Sequence, residues 1–138
     1  MASGPPMIGQ GLTRRERVRR RPDFERAYKT GRKQPGRFMT VFVLATSLPS
    51  SRLGVAATRR IGGAVRRNRA KRLAREVFRR HRPERVNDVV IVPRREMLDA
   101  PFLLLETDFL EILRRSTPRH SDRSPRRVQD RAGRAQGV

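Results

Sequence analysis

Five cations and one amide crowd one short stretch of the chain: Arg67, Asn68, Arg69, Lys71, Arg72 and Arg75. A guanidinium can grip a phosphate through two parallel hydrogen bonds and lay its plane on a base. The chemistry on offer is therefore the binding of a polyanion. On a wheel of 3.6 residues per turn, Asn68, Lys71, Arg72, Arg75 and Arg79 share one side, flanked by Arg67 and Arg69. Ala70, Leu73, Ala74, Val77 and Phe78 form an apolar stripe on the other side, which must face a core. Only Glu76 interrupts the positive field. The pairs Lys71–Arg75 and Arg75–Arg79 stand at i,i+4, where like charges cost a helix about 0.2–0.5 kcal/mol each.

A run of charge is ordinarily a solvated face. Here the composition points elsewhere. Lys plus Arg total 34 against 13 Asp plus Glu, a formal net charge of +21 over 138 residues. Such a chain repels itself when compact and calls for an anionic partner. Arg outnumbers Lys heavily; a codon preference accounts for that choice but not for the net charge.

Other chemistry is poorly supplied. The absence of cysteine excludes disulfides, thiolate zinc sites and a Cys nucleophile. Of the two histidines, His120 falls in a polar tail and His81 at a helix end, where it is expected to cap carbonyls. Asp99, Glu106, Asp108 and Glu111 gather near the last helix, where charge balance is their expected role. No spaced carboxylate cluster suggests two-metal hydrolysis.

These residues need elements to hold them. Pro22 suits the first turn of a helix, with Phe24, Ala27 and Tyr28 on one stripe and Gly31 as a stop. Residues 37–46 and 52–57 read as strands, expected to pair antiparallel across the turn at 47–51. A further short strand near 33–35 is possible. Gly62 and Gly63 lead into the cationic helix, about 64–81. Val89–Val90–Ile91–Val92 reads as a central strand buried on both faces, ended by Pro93. Asp99 is expected to cap a last helix from Pro101, with Phe102, Leu105, Phe109, Ile112 and Leu113 inward. The implied architecture is α+β, a small two-layer sandwich of order α-β-β-(β)-α-β-α with a mostly antiparallel sheet. Residues 1–11 read as a flexible arm, 12–115 as the folded domain, and 116–138 as a disordered Arg-rich tail.

The stretch Ile61–Gly62–Gly63–Ala64–Val65–Arg66–Arg67–Asn68–Arg69–Ala70–Lys71–Arg72–Leu73–Ala74–Arg75 closely resembles the Arg-Asn-Arg signature of bacterial ribonuclease P proteins. The resemblance extends over about residues 12–115, with Ala70 and Tyr28 standing where a larger aliphatic and Phe are usual. It implies a fold shared with a ribosomal protein domain, with a left-handed β-α-β crossover, where the general rule would give the right-handed form. It further implies a cytoplasmic, monomeric RNA-binding subunit, one per catalytic ribonuclease P RNA, with no membrane partner. By that similarity Arg67, Asn68, Arg69, Lys71, Arg72 and Arg75 bind the catalytic RNA. Phe24, Tyr28 and Phe42 line a cleft for the single-stranded 5′ leader of precursor tRNA. Phe24 and Tyr28 read alone would be an ordinary core pair. Mg²⁺ would be held mainly by the RNA, with none bound firmly by the protein and no protein catalytic residue. Rival readings are a ribosomal or general RNA-binding protein, a protein-only nuclease and a DNA-compacting protein; the spaced motif favours the first reading over all three.

Overall fold

The computed structural model describes residues 12–116. The arm expected over 1–11, and the expected tail apart from Ser116, lie outside the described residues. Ser116 belongs to the last helix rather than to a tail: it is buried, and its hydroxyl donates to the Leu113 carbonyl at 3.0 Å.

Three helices and four strands follow in the order α1 (Arg21–Thr30), β1 (Arg32–Pro35), β2 (Met39–Ala45), β3 (Arg52–Val55), α2 (Ala64–Arg80), β4 (Asn87–Pro93) and α3 (Phe102–Ser116). The strands form one sheet in the order β1-β2-β4-β3. β1 pairs antiparallel with β2, and β2 antiparallel with β4.

β3 departs from expectation. It lies beside β4, in parallel, and does not pair with β2. The reason lies in β4, where Val89, Val90 and Ile91 are fully buried. A strand apolar on both faces is best satisfied in the middle of a sheet, with a neighbour on each edge. β4 therefore takes the slot between β2 and β3, and β3-α2-β4 becomes a parallel crossover unit. Charge supports the register, since Arg52 of β3 stands opposite Asp88 of β4.

Side chains alternate between the two faces of the sheet. One set, Met39, Val41, Leu53, Val89 and Ile91, joins Ala74, Val77 and Phe78 of α2 and Leu105, Phe109 and Ile112 of α3 in the main core. Truncating a fully buried ring such as Phe78 or Phe109 to Ala would cost about 3–5 kcal/mol. On the opposite face α1 packs over β2 and β4, its Ala27 fully buried. Ala70, despite its small side chain, is fully buried against Ile61 and Leu98.

Two further expectations are corrected. Asp99 does not cap α3; it closes a separate 3-10 turn, Arg95–Asp99, because Pro101 places the start of α3 at Phe102. His81 does end α2, but its ring does not cap carbonyls. Its Nε2 lies 2.8 Å from Glu106 Oε2, tying α2 to α3, while its backbone N–H donates to Val77 and Phe78.

The chain before α1 is also built. Thr13 N–H donates to Glu16 Oε1 at 3.0 Å around a 3-10 turn, Arg14–Glu16. Glu16 is ion-paired with Arg82, just beyond α2. Arg17 bridges in parallel to Leu53, and Val18 N–H donates to the Leu53 carbonyl at 2.9 Å, covering the outer edge of β3.

Candidate nucleic-acid interface

The cationic helix starts from a turn that only glycine suits. Gly62 has φ of 134°, in the left-handed region, and a Cβ there would stand 2.4 Å from Arg66 Cδ. Arg67 Nη1 donates to the Gly62 carbonyl at 3.0 Å, so part of its fork braces this turn. Asn68, Arg69 and Arg72 are exposed, whereas Arg67, Lys71 and Arg75 are half-buried.

Among the described residues, none of Arg67, Arg69, Lys71, Arg72 and Arg75 forms an ion pair. The acidic relief comes only past them. Glu76 accepts from Arg79 Nη2 and Arg80 Nε, each at 2.8 Å. Arg79, placed by the wheel on the cationic side, is thereby neutralised, and the uncompensated field covers the helix from its start to Arg75. Burial lowers the pKa of Arg75, and the neighbouring charges of Arg17 and Arg72 lower it further. The helix thus carries standing repulsion that an anion would relieve.

The three expected cleft residues meet. The Phe24 and Tyr28 rings lie 6.4 Å apart, and Tyr28 meets Phe42 edge-on at 5.0 Å. Helical period aligns the first two on α1, and β2 turns Phe42 toward them. The row is partly open, since Tyr28 is 40% exposed. Burial raises the pKa of its hydroxyl. Phe24 also rests on the backbone of β3, because a Cβ on Gly54 would stand 2.8 Å from its ring. The sheet separates this row from α2, so the aromatic and the cationic features stand on different faces.

A charged latch fixes α1 beneath this row. Arg52 Nε and Nη2 donate to the two oxygens of Asp88 at 2.8 and 2.6 Å, and Nη1 reaches Asp23 Oδ2 at 3.5 Å. Asp23 precedes Phe24 on α1 and also pairs with Arg26 at 3.1 Å. The hydrogen bond to Asp88 raises the Arg52 pKa against the opposing effect of burial. Reasoning from the sequence missed Arg52, Asp88 and Arg17. A lone Arg in a short strand, with an Asp opening the next, was the available signal.

Among the described residues no three of His, Asp and Glu are grouped so as to hold a metal ion. None of their helices is long and apolar enough to cross a membrane.

The model of the Ribonuclease P family matches residues 12–117. The chain belongs to the ribonuclease P protein family. It is 40% identical over 106 residues to the ribonuclease P protein component of Oleidesulfovibrio alaskensis, covering 74% of this chain and 84% of that one. Against the component from Thermotoga maritima it is 34% identical over 112 residues, covering 77% and 96%. The solved ribonuclease P protein of T. maritima superposes with a TM-score of 0.65 at 32% identity, over 72% of this chain and 96% of the other. That of Staphylococcus aureus gives 0.66 at 27% identity, over 74% and 95%. The matched span begins where the built segment begins, at Leu12, so the ribonuclease P likeness takes in the segment before α1 as well as the α2 motif.

Proposed function

We propose that this chain is the protein subunit of the ribonuclease P ribonucleoprotein, binding the catalytic RNA and the 5′ leader of precursor tRNA. It promotes endonucleolytic removal of that leader, acting in the cytoplasm as one copy per RNA. The observation that carries the reading is the unpaired cationic face of α2, standing on the same small domain as a partly open aromatic row.

Each surface has its own task. Arg67, Asn68, Arg69, Lys71, Arg72 and Arg75 bind the catalytic RNA. Neutralising its phosphates releases condensed counterions, so this affinity falls steeply with salt. Phe24, Tyr28 and Phe42 receive the unpaired leader. Stacking of a base on an aromatic side chain contributes about 1–3 kcal/mol with little sequence preference, which suits a subunit serving many precursors. The Arg52 latch holds α1 so that Phe24 and Tyr28 keep their spacing. Bond cleavage belongs to the RNA and its Mg²⁺, and the protein's residues bind and align.

The test is a cleavage assay with a bacterial ribonuclease P RNA and a precursor tRNA, at low Mg²⁺ and near-physiological salt. The protein should restore correct 5′ cleavage, and changing Arg67, Asn68 and Arg69 to Ala should abolish the effect. Binding to both RNAs without any stimulation would move the protein to the ribosomal or general RNA-binding class.

A further inference from the structure

The cationic face of α2 does not stand alone. The segment from Leu12 to Val18 is braced by two internal bonds and pinned to the rest of the domain at two places. Thr13 N–H bonds Glu16, Glu16 pairs with Arg82 just past α2, Arg17 Nε donates to the Leu12 carbonyl at 3.0 Å, and Val18 bonds Leu53 of β3. α2 packs on β3, Arg17 stands beside Leu53 of β3, and Arg82 joins Glu16 of the segment to the Phe78 ring of α2; the segment so placed lets the Arg17 charge act on Arg75, one turn before Phe78. Arg17 is half-buried, and only its Nε is used; its two Nη groups have no partner among the described residues. Arg72 and Arg75 also lack a carboxylate there.

We propose that Arg17, Arg72 and Arg75 form one phosphate site, in which the N-terminal segment and α2 close together on a single phosphodiester of the catalytic RNA. This rests on the subunit reading above and deepens it by assigning a residue outside the Arg-Asn-Arg helix. A phosphodiester has two free anionic oxygens, and guanidinium forks approaching from different elements can serve both. Like charges brought together by a built backbone are unfavourable without an anion; burial first, and then the charges of Arg17 and Arg72, lower the Arg75 pKa. Glu16 and Arg82 act as positioning residues, because their ion pair sets where the segment lies.

The test uses the full chain and a bacterial ribonuclease P RNA transcript, with affinity measured across a salt series. Arg17→Gln and Arg75→Gln should each weaken binding by roughly tenfold or more, the loss of a charge-assisted hydrogen bond. Because the other two guanidiniums still neutralise that phosphate, each single variant should leave the salt slope nearly unchanged, and only the triple variant Arg17→Gln/Arg72→Gln/Arg75→Gln should lower it by about 1. Because both serve one phosphate, the double variant should lose clearly less than the product of the two. Unchanged melting temperatures separate this effect from unfolding. Should Arg17→Gln melt lower, Arg72→Gln on the exposed helix surface supplies the same cycle against Arg75→Gln. Multiplicative losses, or unchanged affinity in Arg17→Gln while the parent binds, would overturn the shared site and leave the subunit reading intact. An effect seen only with precursor tRNA would overturn the assignment to the catalytic RNA. Failure of the parent to bind the transcript would overturn both.

Discussion

Replacing Arg52 by Met tests how far the fold depends on a deeply placed charge pair. Asp88 is 1% exposed, so water cannot take over when the guanidinium leaves. Both its oxygens lose a partner, at 2.8 and 2.6 Å. Breaking a buried pair from one side costs about 3–5 kcal/mol, because the remaining charge is stranded. Domains of this kind have on the order of 5–15 kcal/mol in total, so the loss is a large fraction. With a urea dependence of about 1–3 kcal/mol per molar, the midpoint should fall by on the order of 2 M at constant slope. The discriminating step is the second substitution. Asp88→Asn should destabilise the parent, which then holds Arg52 through Asp23 alone, yet stabilise Arg52→Met by removing the stranded charge. This change of sign is read from urea unfolding of the four proteins in a double-mutant cycle. A cost under about 1 kcal/mol for Arg52→Met, or Asp88→Asn destabilising both backgrounds equally, would refute the reasoning.

Three further outcomes are expected. Gly54→Val should displace the Phe24 ring, which lies 2.8 Å from where a Cβ would stand, and weaken leader binding more than catalytic-RNA binding; titration of precursors with and without a leader checks this. Tyr28→Ala should lose about 1–3 kcal/mol of affinity for the leader-bearing precursor and almost nothing for a leaderless tRNA, measured in the same titration. Burial opposes ionisation of Glu16, but bonds from Arg82 and Thr13 outweigh it and hold its pKa below the ordinary value. Its contribution is therefore complete above about pH 4.3 and fades as pH falls through the lower folded value. Glu16→Gln should melt below the parent at neutral pH and approach it in acid, as thermal denaturation across pH would show.

Local pattern and long-range pairing were unequally legible. Period alone placed Phe24, Ala27 and Tyr28 on one stripe of α1 and divided α2 into its two sides, because helical geometry is local. The run Val89–Val92 disclosed a central strand, since only burial on both faces tolerates it. Which strands flank it was hidden. Chain neighbours joined by a short turn usually pair, and that rule misplaced β3. The signal against it, Arg52 opposite Asp88, has meaning only once the register is known. Charge–charge partners were hidden for the same reason. His81 was read against its own helix, but its partner, Glu106, comes from α3, 25 positions along the chain. Arg17 is one of five Arg between positions 14 and 20, and nothing local sets it apart; the anchoring of its segment does.

The placing of β4 between β2 and β3 has a consequence for the order in which the chain can take shape. Synthesis delivers β2 and β3 first, yet they share no ladder, and the strand that unites them arrives only after the whole of α2. Non-local pairing of this kind is slow, because loop closure must precede the contacts that reward it. A growing chain halted before Asn87 therefore holds most of the molecule's positive charge but no centre for its sheet. Cooperative structure waits for the last strand to leave the ribosome.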